Sequence, residues 1–152
     1  MTTPGHDRDK TGRVRPRRAL GPALIVEDDS LIALDLAEAL AEAGADPVLT
    51  CPSIAEAMEE LSRAVPAVLV LDVHLADRDD GWALAELAMQ LGEAKPLVLF
   101  TTATPDSIPE SARRLGHVIA KPFRTEDLIS VIYRERPAGL LDRLRGALSK
   151  PG

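Results

Sequence analysis

Three features of this sequence predict an α/β fold, with five β–α units around a doubly wound parallel sheet. Continuous apolar runs of strand length recur at 23–26, 67–71 and 97–100. Segments with helical spacing and recognisable start and stop residues lie between the runs. The strands end in acids, hydroxyl residues or, in one case, a lysine. Strands separated by helices pair in parallel through right-handed crossovers, and such a sheet is buried on both faces. Burial on both faces explains why the runs are apolar without alternation.

The elements follow in order. Residues 1–19 hold Pro4, Gly5, Gly12, Pro16 and six basic side chains, with almost nothing apolar. This segment reads as a disordered basic tail, either solvated or facing an acidic partner or membrane. The domain proper is expected over 20–136. Ala23–Glu27 is the first strand. Ser30 is expected to cap a helix through about Ala43, which Gly44 stops. Asp46–Thr50 is a weak strand interrupted at its start by Pro47, and Ser53 caps a second helix, Ile54–Ala64. Ala67–Val73 is the third strand. Gly81 precedes a helix over Trp82–Leu91, with Gly92 after it. Pro96–Thr101 is the fourth strand. Pro105–Leu115 has helical character damaged by Pro105 and Pro109. His117–Ala120 is the fifth strand, and Thr125 caps a last helix to about Arg134. In the extension 137–152, Leu140, Leu141, Leu144 and Leu148 fall at helical spacing. That pattern fits a short amphipathic helix, docked on its own domain or meeting a partner.

Composition narrows the function. The chain has 152 residues, which suits one compact domain. Its net charge of −6 is uneven: residues 1–18 set six basic against two acidic side chains, a net +4, which leaves −10 for the rest. An acidic body argues against nucleic acid as the main partner. Cys51 is the single cysteine, so no internal disulfide forms, and a reducing cytoplasm is expected. No apolar run approaches the ~20 residues that span a bilayer, so no membrane insertion is expected.

In an open α/β sheet, ligands bind beyond the carboxyl ends of the strands. Here the first strand ends in Glu27, Asp28 and Asp29, the third in Asp72, the fourth in Thr101 and Thr102, and the fifth in Lys121. Carboxylates crowded on one edge repel unless something positive joins them. Mg²⁺ suits such oxygen ligands and a phosphate, and Lys121 adds a fixed positive charge. The Thr102 hydroxyl can donate to a phosphoryl oxygen. Other chemistries lack their signatures: there is no G-x-G-x-x-G after the first strand, no P-loop and no G-x-S-x-G elbow. His6, His74 and His117 are not spaced for zinc.

The segments LIVEDDSLI (24–32), LVLDVHL (69–75), GW (81–82), LFTTA (99–103) and AKPF (120–123) stand in an order that resembles the response-regulator receiver family. The resemblance covers about Ala23 to Arg134. It implies a flavodoxin-like (βα)₅ fold with strand order 2-1-3-4-5. It also implies Asp72 as phosphoacceptor, Thr102 as switch hydroxyl, Lys121 as the phosphoryl-binding lysine and a cis Pro122. For Mg²⁺ it implies Asp28 directly, Glu27 through water, Asp72, and the backbone carbonyl of His74. Asp29 is not expected to be a ligand. The implied partners are a histidine kinase or histidine phosphotransfer protein as donor and a downstream protein target, with the chain a monomer or weak dimer. The domain would catalyse only its own phosphorylation and dephosphorylation.

The chain departs from the family in three places. The family's switch aromatic, three residues before the lysine, is Val118; His117 beside it is expected on the opposite face. Thr102 and Lys121 are 19 residues apart, which is short for the family, so the fourth helix is expected to be short, shifted or mobile. LFTTA also resembles loosely a subgroup of stand-alone alphaproteobacterial receivers. The loop LADRDDG (75–81) carries Asp77, Asp79 and Asp80, read as a solvated loop with a helix cap or as a weak second metal site. His74 either tunes access of the hydrolytic water or is a partly exposed loop residue. Trp82 is expected to pack the base of the third helix. The leading reading is a single-domain response regulator, with no DNA-binding segment following. The alternatives are a pseudo-receiver that binds a partner without phosphorylation and a small aspartyl-phosphate phosphatase.

Overall fold

The computed structural model describes residues 19–75, 77–78 and 80–136. The basic tail to residue 18, Asp79 and the leucine stripe of 137–152 lie outside these residues. Five strands, β1 (Gly21–Val26), β2 (Ala45–Cys51), β3 (Val68–Asp72), β4 (Leu97–Thr102) and β5 (His117–Ala120), alternate with helices α1 (Ser30–Ala43), α2 (Ile54–Arg63), α3 (Trp82–Gln90), α4 (Glu110–Arg113) and α5 (Thr125–Glu135). A 3₁₀ turn over Pro105–Ser107 precedes α4. The sheet order is β2-β1-β3-β4-β5, and every pairing is parallel, as expected.

The apolar runs occupy the middle of the sheet. All five residues of β3 are buried, and successive side chains feed two separate cores. Leu69, Leu71, Val98 and Phe100 pack with α2, α3 and α4 on one face. Val68, Val70 and Leu99 pack with α1 and α5 on the other. Aliphatic side chains therefore carry the packing, and Phe100 is the largest fully buried side chain.

Helix ends mostly match the expected chemistry. Gly44 closes α1 at φ 113°, a left-handed geometry in which a Cβ is strained. The Ser53 hydroxyl accepts from the Glu56 amide and starts α2. Two expected caps are corrected. Asp29, not Ser30, caps α1, accepting from the amides of Leu31 at 2.9 Å and Ile32 at 3.2 Å. Either residue type caps well, and the chain turns into the helix one position early. Thr125 is the first residue of α5, whose cap position, Arg124, makes no side-chain cap bond. Glu126 and Asp127 in the first turn complement the helix dipole instead.

β2 is longer than expected, and Pro47 sits within it. β2 is an edge strand bonded only to β1, where a missing N–H is tolerated. The pairing with β1 shifts register over this stretch, between Gly21 and Ala23. α4 is one turn long, as the prolines and the short spacing foretold. It is anchored by buried Ala112 and Ile108 and by the Arg113 guanidinium, which donates to the carbonyls of Ile108 and Pro105. The chain then crosses β4 so closely that a Cβ on Gly116 falls well inside contact with the Val98 backbone.

Candidate functional site

Strand register sets the site. Val26 pairs with Leu71, Asp72 with Thr101, and Thr101 with Ile119. Glu27, Asp72 and Thr101 thus form one row across the carboxyl edge of the sheet, on the α1 and α5 face. Lys121 stands two residues beyond Ile119 on that same face. Its Nζ reaches back to Asp72 Oδ2 at 3.0 Å and Glu27 Oε2 at 3.2 Å. Glu27 and Asp72 are each 4% exposed, whereas Asp28 faces solvent.

One carboxylate oxygen from each of Glu27, Asp28 and Asp72 lies within 4.8 Å of the others. Such a set of hard oxygen donors with an open side fits Mg²⁺. The electrostatics agree. Burial, and then the charge on Asp72, push the Glu27 carboxyl up to about 7, while Lys121 and the Asp29 amide pull the other way. Burial works against charge on Lys121, but its bonds and Coulomb attraction to Asp72 and Glu27 win and raise its pKa. Three crowded carboxylates served by one amine still lack positive charge.

The Asp72 carboxylate is held at both oxygens. Oδ2 accepts from Lys121, and Oδ1 accepts from the His74 amide at 2.9 Å. Thr102 is fully buried, and its hydroxyl accepts from the Thr104 amide at 3.0 Å. The His74 ring lies 2.9 Å from the Thr104 hydroxyl, which in turn lies 3.0 Å from the Ser107 hydroxyl. A polar bridge thereby joins the loop after β3 to the loop after β4. The sequence reading missed Thr104 and Ser107, because the bridge spans 30 residues from His74. The spacing of Thr104 two residues after Thr102 was its one local signal.

The acidic loop does not converge on a second metal site among the described residues. Asp77 accepts from the amides of Ile54 and Ala55 and so caps α2 from 23 residues away. Asp80 forms a two-point pair with Arg78. Asp29 serves as the α1 cap. The Lys121–Pro122 bond is cis, and so is Asp46–Pro47. Val118 packs toward α4, while His117 lies on the other face, 3.5 Å from Glu135. Trp82 is half-buried against the α2–α4 core. Cys51 is buried, with its thiol pushed up to about 11 by burial and then by Glu60 and Glu56.

A family model for the response regulator receiver domain matches residues 23–133, from β1 into α5. The chain belongs to this family. Receiver domains are signalling modules of two-component systems, and the acidic cluster of this receiver domain is compatible with Mg²⁺ and phosphorylation. It is similar to the transcriptional regulatory protein PdtaR of Mycobacterium tuberculosis, 35% identical over 134 residues, covering 87% of this chain and 61% of the relative. It is also similar to the phyllosphere-induced regulator PhyR of Methylorubrum extorquens, 32% identical over 127 residues, covering 82% of this chain and 46% of that one. The chain therefore spans less than two thirds of these relatives' lengths. A receiver domain (CheY-like) from Methylobacillus flagellatus shares the fold at TM-score 0.66 and 23% identity, covering 76% of this chain and 98% of that one. No helix among the described residues is long and apolar enough to cross a membrane.

Proposed function

We propose that this receiver domain accepts a phosphoryl group on Asp72 from a phosphohistidine donor and signals by protein contact. The observation that carries the reading is the Lys121 amine set 3.0 Å from Asp72 and 3.2 Å from Glu27 at one strand edge. Glu27, Asp28, Asp72 and the His74 carbonyl would hold Mg²⁺. When bound, the ion offsets negative charge on the transferring group.

The chain's own residues do the rest. An Asp72 oxygen attacks phosphorus, the phosphorus–nitrogen bond to the donor imidazole breaks, and an acyl phosphate forms. Bonds to the His74 amide and Lys121 fix the carboxylate before the donor arrives, so catalysis is mainly positioning and electrostatics. Lys121 follows the new charge onto the phosphoryl group. The Thr102 hydroxyl turns from the Thr104 amide toward a phosphoryl oxygen. That turn loosens the bridge from His74 through Thr104 to Ser107 and biases the adjoining 3₁₀ turn and α4. Water later hydrolyses the acyl phosphate.

The donor would be a histidine kinase or histidine phosphotransfer protein, and the downstream target a protein that docks on the α4–β5–α5 face. The acidic body and the lone, buried cysteine support a cytoplasmic domain that works through proteins rather than DNA. The test is incubation with Mg²⁺ and acetyl phosphate or a cognate kinase, followed by intact mass. A gain of one phosphoryl group is expected, and Asp72→Asn abolishes it. Phosphorylation that persists in Asp72→Asn overturns the assignment.

A further inference from the structure

Thr101 stands apart among the described residues. Its side chain is 1% exposed, and its hydroxyl is the one buried side-chain polar atom left without a hydrogen-bond partner. Buried hydroxyls are normally satisfied, so an unpaired one needs a reason. Valine has nearly the same shape and lacks the group.

The register supplies the reason. Thr101 is in register with Asp72, and neighbouring strands lie about 4.8 Å apart, so the two side chains are lateral neighbours on one face. Each Asp72 oxygen already accepts one bond, Oδ1 from the His74 amide and Oδ2 from Lys121. Lys121 follows β5 and its amine ends on Asp72 of β3, so its stem spans the intervening β4. In this arrangement the Thr101 hydroxyl makes no bond to the Asp72 carboxylate with which it is in register.

We infer that Thr101 is a positioning residue for Asp72, whose hydroxyl donates to the Asp72 side chain once Lys121 moves away. The unpaired hydroxyl destabilises the resting arrangement. The same group stabilises the arrangement in which the amine has left Asp72. Thr101 therefore narrows the gap between the two and favours departure of the amine. The link to phosphorylation rests on the function proposed above; the exchange of partners at Asp72 does not.

A double-mutant cycle tests this directly. Thermal unfolding is measured in metal-free buffer for the wild type, Thr101→Val, Lys121→Met and the double variant. Thr101→Val is expected to raise Tm by roughly 3–6 °C when Lys121 is present, because an unpaired hydroxyl is removed. In the Lys121→Met background the gain disappears, because the hydroxyl is then bonded to Asp72. Equal shifts in both backgrounds overturn the inference, as does a lower Tm for Thr101→Val alone. With Mg²⁺ and acetyl phosphate, Thr101→Val is expected to slow phosphoryl uptake roughly fivefold to tenfold, the worth of about one hydrogen bond. Thr101→Ser restores the rate. Uptake by Thr101→Val at the wild-type rate sinks the positioning role. If the wild type takes up no phosphoryl group, the phosphoacceptor reading falls and the unfolding cycle alone decides Thr101.

Discussion

Raising the pH of the metal-free protein is expected to destabilise it through Glu27. Burial and the neighbouring Asp72 move this carboxyl from its ordinary 4.5 to about 7. In the unfolded chain it ionises at the ordinary value. Between the two values the folded state binds more protons than the unfolded state. The contribution is therefore fully present below pH 4.5 and is lost as pH rises through 7. At 1.36 kcal/mol per unit, the ceiling is about 3 kcal/mol. The mouth of the site is open to water beside exposed Asp28, which screens the charges and brings the figure to roughly 1–2 kcal/mol. For a chain of this size the expected fall in Tm is roughly 3–6 °C from about pH 5 to about pH 8. The assay is scanning calorimetry across that range in chelator, with Glu27→Gln run in parallel. The difference between the two curves removes the contributions of all other groups. Saturating Mg²⁺ is expected to reverse the effect, because the ion binds the ionised carboxylate and stabilises the fold as pH rises. Parallel Tm curves for wild type and Glu27→Gln in chelator would refute the reasoning.

Further outcomes follow from other contacts. Lys121→Met strips the amine from Glu27 and Asp72 and is expected to cost about 2 kcal/mol in metal-free buffer, limited by proton uptake at Glu27; chemical denaturation with and without Mg²⁺ checks that the ion restores most of the loss. Asp77→Ala frees two amides at the start of α2 and is expected to cost about 1 kcal/mol, with faster hydrogen exchange at Ile54 and Ala55. Gly116→Ala drives a methyl into the Val98 backbone and is expected to destabilise by at least about 2 kcal/mol in urea unfolding, with a neutral result contradicting the tight crossing.

The central strands were legible because burial on both faces leaves an unmistakable apolar run, as at Val68–Leu71. The convergence of Glu27, Asp72 and Lys121 was legible for a related reason: once strands are parallel, their carboxyl ends share an edge. Helix starts were less so. Asp29 and Ser30 are adjacent and equally able to cap, and only the path of the backbone chooses. Thr101 and Thr102 look alike as a pair, yet register gives one a place beside Asp72 and the other a bond to the Thr104 amide. Asp77 on the α2 amides and His74 on Thr104 are tertiary contacts with no local pattern to announce them. Sequence periodicity finds layers; it does not find which loop leans on which.

The single-turn α4 has a thermodynamic corollary. Four residues cannot recover the entropy of nucleating a helix, so such a turn has no persistence of its own. Its population is set by its anchors: its own Ala112 and the preceding Ile108 buried in the core, and Arg113 gripping the preceding turn. A surface of that kind is soft. An input of about 1.4 kcal/mol changes the ratio of its conformers tenfold, so a single hydrogen bond rearranged at Thr104 is enough to shift it.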